Sequence, residues 1–364
     1  MSKSQIFIDG WFLQPPLRGI GNYIKNILIY TPRNNKEIEF ILLIPDKNLD
    51  LKFLPPYLKY KVIPCNYLLL WYEFYLPSLA KNTPNSIIFY PSGTCGIFNS
   101  YENFKIISTI HDVASLLPLK YNPITYQIRH LLGRIYRKFS FYKLVKNSEI
   151  IFTVSNTAKS GITKICLSKN LLLPKIYVVY NASEINKFTI DKKNKTFLCI
   201  TGENSQKNHK CIINALNFLN NNILEGWKIY FVGLKSSQAF KHRSGADIIK
   251  KPYLGPSEIK KLFYETYCLI FPSIYESFGI PLVDALKSKC HIIASENGAS
   301  KEVCDNSVLF FNPFSPEELS KKILEIVSYY PRKPIINNTT ILDQTWEKTS
   351  KYIFQMIEEN SIIN

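Results

Sequence analysis

The sequence predicts an α/β protein made of two doubly wound parallel sheets, each covered by helices on both faces. Three observations carry this. Short β-rich runs alternate with helical patterns along the whole chain, the strand series occurs twice, and a polar stretch separates the two series. A chain of 364 residues has room for two domains at roughly 150 residues each. Its 46% hydrophobic and 14% aromatic content supplies both cores and excludes a disordered chain.

Taken in order, residues 5–8, 39–44, 86–90, 105–110 and 149–154 read as buried strands of the first sheet, each followed by loop punctuation. The second series is 196–201, 227–232, 268–271, 291–294 and 308–311, with helices expected over 208–220, 256–265, 281–287 and 316–327. Residues 186–195, which include Asp191, Lys192, Lys193, Asn194 and Lys195, are the linker candidate. The expected domains are therefore 1–185 and 186–344, followed by a tail, 345–364, with a helix over 345–359; the sequence does not say which domain it joins, and packing back on the first is one option. The cleft between two such domains is the expected place for a ligand.

The charge is uneven. The chain carries 45 Lys and Arg against 28 Asp and Glu, a formal +17. Residues 1–180 hold 22 basic and 9 acidic side chains, a net of +13 that leaves +4 for the rest. Between Val113 and Ser148 there is no acidic residue, yet Lys120, Arg129, Arg134, Arg137, Lys138, Lys143 and Lys146 lie there. Ile128, Leu131, Leu132, Ile135, Phe139 and Tyr142 recur at helical spacing within this stretch, which makes it an amphipathic helix with a cationic polar face. Two readings stand: a core helix with solvated cations, or a helix on an anionic membrane surface, with Arg129, Arg134, Arg137 and Lys138 as its contact residues. Nucleic acid is not expected, because no binding motif accompanies the charge.

The cysteines at 65, 95, 166, 199, 211, 268, 290 and 304 form no CxxC pair and read as reduced thiols in core positions. No stretch approaches the ~18 uninterrupted apolar residues of a spanning helix, the nearest being the short run 67–71. Asp9 and Gly10 interrupt the start where an export signal needs continuous apolar residues. A cytoplasmic chain is expected.

The most informative segment is Phe271-Pro-Ser-Ile-Tyr-Glu276-Ser-Phe-Gly279-Ile-Pro281-Leu-Val-Asp284-Ala, running from strand through loop to helix. Eight helical steps leave Glu276 and Asp284 about 80° apart, so they do not share a helix face and Glu276 belongs to the loop. Pro281 suits a first helical turn and Gly279 permits close approach. The amides of Phe278, Gly279 and Ile280 then form a helix start that can hold a phosphate. The plainer alternative makes Asp284 a dipole-stabilising acid and Glu276 a loop residue.

The first strand leads into Arg18-Gly19-Ile20-Gly21, half of a phosphate-cradling turn. Ile24 occupies the third glycine position, so a dinucleotide fingerprint fails. His111 follows the strand 105–110 at its carboxyl end, where open α/β sheets place ligand contacts, and there it is a hydrogen-bond partner for a hydroxyl group or a satisfied structural histidine. Lys207, after the strand 196–201, supplies a point charge for a phosphate or is a solvated lysine. HExxH, clustered Cys/His sets, Asp-x-Asp, GxxxxGK[ST] and GxSxG are all missing from the sequence, which leaves a metal site, an NTPase and an α/β-hydrolase without their signatures.

Taken together, these residues resemble the retaining glycosyltransferases of family 4, of the bacterial surface-polysaccharide type, over nearly the whole chain. Those enzymes have the GT-B fold, two Rossmann-like domains facing across a deep cleft. Members carry a loop of the type PSxxEGFGxPxxEA. Here Ser277 stands for its first Gly and Asp284 for its second Glu. His111-Asp112, Thr153-Val154-Ser155, Tyr180-Asn181-Ala182 and Gln206-Lys207-Asn208 are further matches.

The resemblance implies catalytic roles for His111 and Glu276, both by the transferred sugar. It implies donor binding by Gly19, Gly21, Lys207, Phe278, Gly279, Ile280 and Asp284, the last on the ribose. The implied donor is a nucleoside-diphosphate sugar, with mannose the expected hexose. The acceptor is a polyprenyl-linked saccharide of O-antigen or capsule, reached at the inner face of the plasma membrane, and no metal or other cofactor is required. The competing readings are another GT-B enzyme, such as a sugar-nucleotide epimerase, and a non-catalytic sugar-nucleotide or membrane-surface binding protein.

Overall fold

The computed structural model describes residues 3–35, 37–121, 128–185, 193–202, 204–234, 240–304, 308–336 and 338–361, with the side chains of residues 128–130 and 339 outside the description. The chain divides into two compact units: Met1–Leu116 with Ile128–Asn181 and Thr345–Asn364, and Leu117–Gln127 with Ala182–Gln344. The first unit is thus discontinuous. Lys120 Nζ lies 4.7 Å from the Phe314 ring centroid, both within the second unit.

In the first unit, β1 (Ser4–Asp9), β2 (Ile38–Ile44), β3 (Lys59–Val62), β4 (Ile87–Tyr90), β5 (Lys105–Ile110), β6 (Ser148–Thr153) and β7 (Lys175–Val178) form one parallel sheet of order β3-β2-β1-β4-β5-β6-β7. Its described helices are α1 (Gly19–Leu28), α2 (residues 68–81, with a π turn over Trp71–Tyr75), α3 (Ile128–Asn147), α4 (Asn156–Ser168) and, in the tail, α11 (Trp346–Ser361). The inner strands β4 and β5 are buried almost throughout, as a sheet covered on both faces requires.

The second unit repeats the plan with β8 (Thr196–Ile200), β9 (Lys228–Val232), β10 (Asp247–Lys251), β11 (Cys268–Phe271), β12 (His291–Ser295) and β13 (Leu309–Phe311), in the parallel order β10-β9-β8-β11-β12-β13. Between its strands lie α5 (His209–Leu216), α6 (Pro256–Glu265), α7 (Ile280–Lys287), α8 (Ser300–Cys304) and α9 (Pro316–Tyr329), followed by α10 (Thr339–Leu342). The strand order reverses between β1 and β4 in one sheet and between β8 and β11 in the other. At such a reversal the loops leaving neighbouring strands diverge, and the opening beyond their carboxyl ends is where open α/β sheets bind ligands.

Three strands, β3, β7 and β10, have no counterpart in the sequence reading, and α5 stops at Leu216, four residues before its expected end. Of the expected linker, residues 186–192 lie outside the described residues. Asn194 N–H bonds Glu265 O (3.0 Å) and Lys193 Nζ bonds Phe263 O (3.0 Å), which fixes 193–195 to the second unit.

α11 is part of the first unit's core. Ser350 Oγ donates to Ile27 O (2.6 Å), Thr349 Oγ1 donates to Tyr180 O (2.7 Å), and Phe354 meets Phe40 edge-on at 5.1 Å. Ile353, Phe354 and Ile357 are buried there. Truncating a buried Phe removes its transfer energy and leaves a cavity, so Phe354→Ala is expected to cost about 3–5 kcal/mol in urea denaturation. A loss below about 1 kcal/mol would show that the tail is not structural.

Candidate active site

In the second unit the candidate residues come from the two loops at the strand-order reversal. β8 leads into a 3₁₀ turn, Ser205–Lys207, and β11 leads into the loop 272–279. The second loop is held through its backbone carbonyls. Pro272 O accepts from Asn208 Nδ2 (3.1 Å), Ser273 O from Ser295 Oγ (2.5 Å), and Ile274 O from Asn297 Nδ2 (3.1 Å). Tyr275 O accepts from Gln206 Nε2 (2.7 Å) and Glu276 O from Ala299 N–H (2.8 Å). Five consecutive carbonyls are satisfied, and Ile274 N–H returns a bond to Gln206 O (2.9 Å). Gln206 is therefore a brace for the loop.

This bracing presents Glu276 to Lys207. Their side chains form an ion pair, half-buried on both sides, and Lys207 Nζ also lies 5.7 Å from the centroid of the Phe271 ring. Beyond Glu276 the chain turns through Gly279, whose φ of +90° is open to glycine and strained for other residues. α7 starts there. Pro281 carries no N–H and Leu282 N–H turns back to Gly279 O (2.9 Å). The N–H groups of Gly279 and Ile280 are thus the donors that α7 offers to an anion, while the Phe278 side chain is buried.

Asp284 sits one turn into α7, half-buried. Its Oδ1 accepts from the Ser183 hydroxyl, whose oxygen in turn accepts Ile185 N–H (2.9 Å). Burial raises the Asp284 pKa from 3.8 to about 7; the Ser183 hydrogen bond and Lys287 oppose the rise and Glu184 adds to it. Lys287 is itself anchored on Gln344 O (3.0 Å).

In the first unit, His111 follows β5 and its Nε2 lies 2.8 Å from Pro91 O. A carbonyl only accepts, so Nε2 carries the proton and Nδ1 of the neutral ring is left as an acceptor. Burial lowers the His111 pKa, against the Pro91 bond and Asp112, which keeps the ring neutral at pH 7. Tyr23 packs edge-on against it at 4.6 Å.

Gly19 opens α1 at the surface with open space around it. Gly21 is different. A Cβ there would meet Phe12 O at 2.4 Å, so this glycine serves the packing of the β1–α1 connection. Asp9 anchors the same connection: fully buried, it accepts from Trp11 N–H (3.0 Å), Trp71 Nε1 (2.8 Å) and Tyr72 OH (2.8 Å).

Of the four predicted surface cations on α3, Arg137 and Lys138 are exposed and Arg134 is half-buried; the side chain of Arg129 lies outside the described residues. Of the two readings of this helix, the one that docks its apolar stripe into the core does not hold. Leu131, Leu132, Ile135 and Phe139 are exposed, and the buried face is Ser140, Phe141, Leu144 and Val145. Among the described residues no group of three His, Cys, Asp or Glu is arranged to hold a metal, and no helix is long and apolar enough to cross a membrane.

Residues 181–340 match the family described as glycosyl transferases group 1, a span close to the second unit. The second unit is a group 1 glycosyl transferase domain. O-antigen chain mannosyltransferase RfbU of Salmonella typhimurium is 29% identical to this chain over 237 residues, which cover 58% of this chain and 62% of that protein. The fold of the chain is that of GT-B glycosyltransferases. Anabaena Alr3699/HepE, solved in complex with UDP, matches with a TM-score of 0.65 at 12% identity, covering 98% of this chain and 99% of that one. The lipopolysaccharide outer core galactosyltransferase WaaB in its apo form matches at 0.63 and 15% identity, covering 97% and 99%.

Within the second unit, the sequence analysis singles out Lys207, Glu276, Gly279 and Asp284 but not the residues that hold them. Ser295, Asn297 and Gly298 follow β12, and a Cβ on Gly298, whose φ is +74°, would lie 2.1 Å from Glu276 O. The Asn-Gly pair at 297–298 was the available signal, a turn dipeptide after a strand.

Two outcomes are expected. Gly298→Ala forces the Glu276 backbone aside and is strained at its own φ, so it should lose at least ~2 kcal/mol of stability. Unchanged denaturation would refute the packing. For Asp284, the folded state holds the proton more tightly than the unfolded chain, so ionisation between about pH 4 and pH 7 destabilises the wild type. Asp284→Asn has no such group, and its stability relative to wild type should rise across that interval in pH-dependent urea titrations. A constant difference would mean the Asp284 pKa is not raised.

Proposed function

We propose that the chain is a retaining glycosyltransferase of family 4. It moves a hexose, mannose in our reading, from a nucleoside-diphosphate sugar to a lipid-linked saccharide in O-antigen or capsule synthesis. The observation that carries this is the Lys207–Glu276 pair held beside the Gly279 and Ile280 amides at the strand-order reversal of a group 1 domain. Mannose is supported by the names of relatives: RfbU, and the Escherichia coli serotype-specific mannosyltransferase WbdA, which is 24% identical over 97 residues covering 27% of this chain and 12% of that protein.

The chemistry follows from the charges. As the anomeric carbon–oxygen bond breaks, negative charge collects on the diphosphate, where Lys207 and the two amides oppose it. Glu276 holds sugar hydroxyls and keeps Lys207 in place. Asp284, ionised, accepts the ribose hydroxyls. His111, with Nδ1 free to accept, takes a hydroxyl of the transferred sugar. The acceptor hydroxyl arrives on the face the diphosphate leaves, which retains the anomeric configuration, and the leaving charge is met without a metal. The acceptor's polyprenyl diphosphate and the cations of α3 favour a peripheral location at the inner face of the plasma membrane.

The test has two stages. Thermal shift against UDP, GDP and dTDP identifies the base, since a ligand of the folded state raises its melting temperature, and GDP is expected to give the largest shift. Transfer from the matching nucleotide sugar to a polyprenyl-diphosphate saccharide is then followed by product analysis. Glu276→Ala and Lys207→Ala should each lower kcat by at least ~100-fold with the fold intact. Full turnover by both variants would remove the role assigned to the pair. Conversion of the donor without acceptor would mark an epimerase.

A further inference from the structure

The connection that leaves β4 in the first unit is fastened more tightly than a surface loop needs. Consecutive helical residues ordinarily diverge by about 100°. In α2 the π turn over Trp71–Tyr75 winds more widely, and Trp71, Tyr72 and Glu73 are buried in succession. Trp71 and Tyr72 both donate to Asp9 at the end of β1, at 2.8 Å each. Glu73 accepts from Ile97 N–H (2.8 Å) and Phe98 N–H (3.1 Å), which ties down the far side of the connection.

Its near side is held through Ser92. The single hydroxyl proton of Tyr72 goes to Asp9 Oδ2, so the 3.0 Å contact between Tyr72 and Ser92 is a hydrogen bond from Ser92 Oγ to the Tyr72 oxygen. Asp9 Oδ2 lies 3.4 Å from the same Ser92 Oγ, which also accepts Thr94 N–H (3.3 Å). Asp9, Tyr72 and Ser92 are all buried. One residue on, Gly93 has a φ of +69° and lies so close to β5 that a Cβ would stand 2.7 Å from Thr109 O.

This fastening ends at His111. Pro91 O, which accepts the His111 Nε2 proton, belongs to the peptide plane that joins Pro91 to Ser92. The plane is rigid, so anchoring Ser92 and Gly93 on one side of it sets where the carbonyl points. We propose that Tyr72 and Ser92 are positioning residues for His111: together with Asp9 they hold the Pro91 carbonyl in place, and that carbonyl fixes the imidazole with Nδ1 left to accept a hydroxyl of the transferred sugar. The inference rests on the role given to His111 above and extends it to buried residues that act through the ring.

The test follows the Nε2 proton by NMR of the full chain carrying isotope-labelled histidine, its signal assigned among the five histidines through His111→Gln. A buried, hydrogen-bonded ring proton exchanges slowly with water. Ser92→Ala leaves Asp9 its bonds from Trp11 N–H, Trp71 Nε1 and Tyr72 OH, and so keeps the junction itself. Ser92→Ala and Tyr72→Phe should each speed the exchange at least ~10-fold and lower kcat at least ~10-fold, with the thermal shift given by GDP unchanged. Both act by one route, so the double variant should be no more than ~2-fold worse than the worse single. Ser86→Ala removes a buried hydroxyl bonded to Ala80 O (2.8 Å) just before β4. It controls for lost stability and should leave exchange and kcat alone.

Unchanged exchange in both variants would overturn the positioning role, as would a wild-type signal with the proton on Nδ1. Equal acceleration by Ser86→Ala would reduce the effect to general loosening and overturn it too. Faster exchange with unaltered kcat would show that the hold on the ring does not serve transfer, which also sinks the proposal. If wild type transfers sugar from no nucleotide sugar, yet Ser92→Ala frees the His111 proton, the transferase reading fails while the link from Ser92 to the ring stands.

Discussion

The arrangement of the transferase domain depends on five successive carbonyl groups, from Pro272 to Glu276, each accepting a hydrogen bond from a neighbouring segment. A loop that leaves a buried strand has backbone acceptors to satisfy, and a segment that satisfies them all has little freedom left. The donors come from two directions. Gln206 and Asn208 follow β8; Ser295, Asn297 and Ala299 follow β12, and β11 lies between those strands. The loop after the central strand is thus stretched between its two neighbours, and Glu276 is where this bracing ends. Lys207 belongs to the same turn as Gln206, so one element both fixes the loop and supplies the cation that Glu276 meets. Preorganisation of this kind reduces the reorganisation needed when charge develops on a substrate.

Such a design explains which parts of the chain were legible in its sequence. Inner strands announce themselves through continuous apolar runs, and β1, β5, β8 and β11 stand close to their expected bounds. The unread strands, β3, β7 and β10, are all at sheet edges. β3 is Lys-Tyr-Lys-Val and largely exposed, and β10 contains Asp247, Lys250 and Lys251. An edge strand is kept short and charged because its free backbone groups invite foreign pairing, and that charge hides it from a search for apolar runs. The candidate residues stood out because Lys, Glu and Asp in a strand–loop–helix setting point to ligand chemistry. Their supports were not visible, because Ser295 and Asn297 act on carbonyls about twenty residues away, and local spacing carries no trace of such pairing.

α3 shows a different limit. Helical periodicity correctly places Leu131, Leu132, Ile135 and Phe139 on one face, but a period says only that a face exists, not what it meets. The side that docks carries Phe141, Leu144 and Val145, a second apolar set displaced along the helix. The helix is therefore apolar on two sides. A sequence with two candidate faces leaves the choice to tertiary contacts, here the Tyr136 and Ser140 bonds to α2 and to the loop 95–99.

Asp284 carries the argument from packing to chemistry. The family pattern has a longer carboxylate there, and a shortened one would be loose or withdrawn without a partner. Ser183 removes that freedom by donating to Oδ1 while its own oxygen takes the Ile185 amide, which fixes the hydroxyl as well. The opposing influences on the Asp284 proton then have a structural origin: burial and Glu184 hold it on, while Ser183 and Lys287 pull it off. Their balance near neutrality makes this carboxylate sensitive to any group that adds a hydrogen bond. A pair of ribose hydroxyls would add two donors, favour the ionised form, and so couple nucleotide binding to the release of a proton.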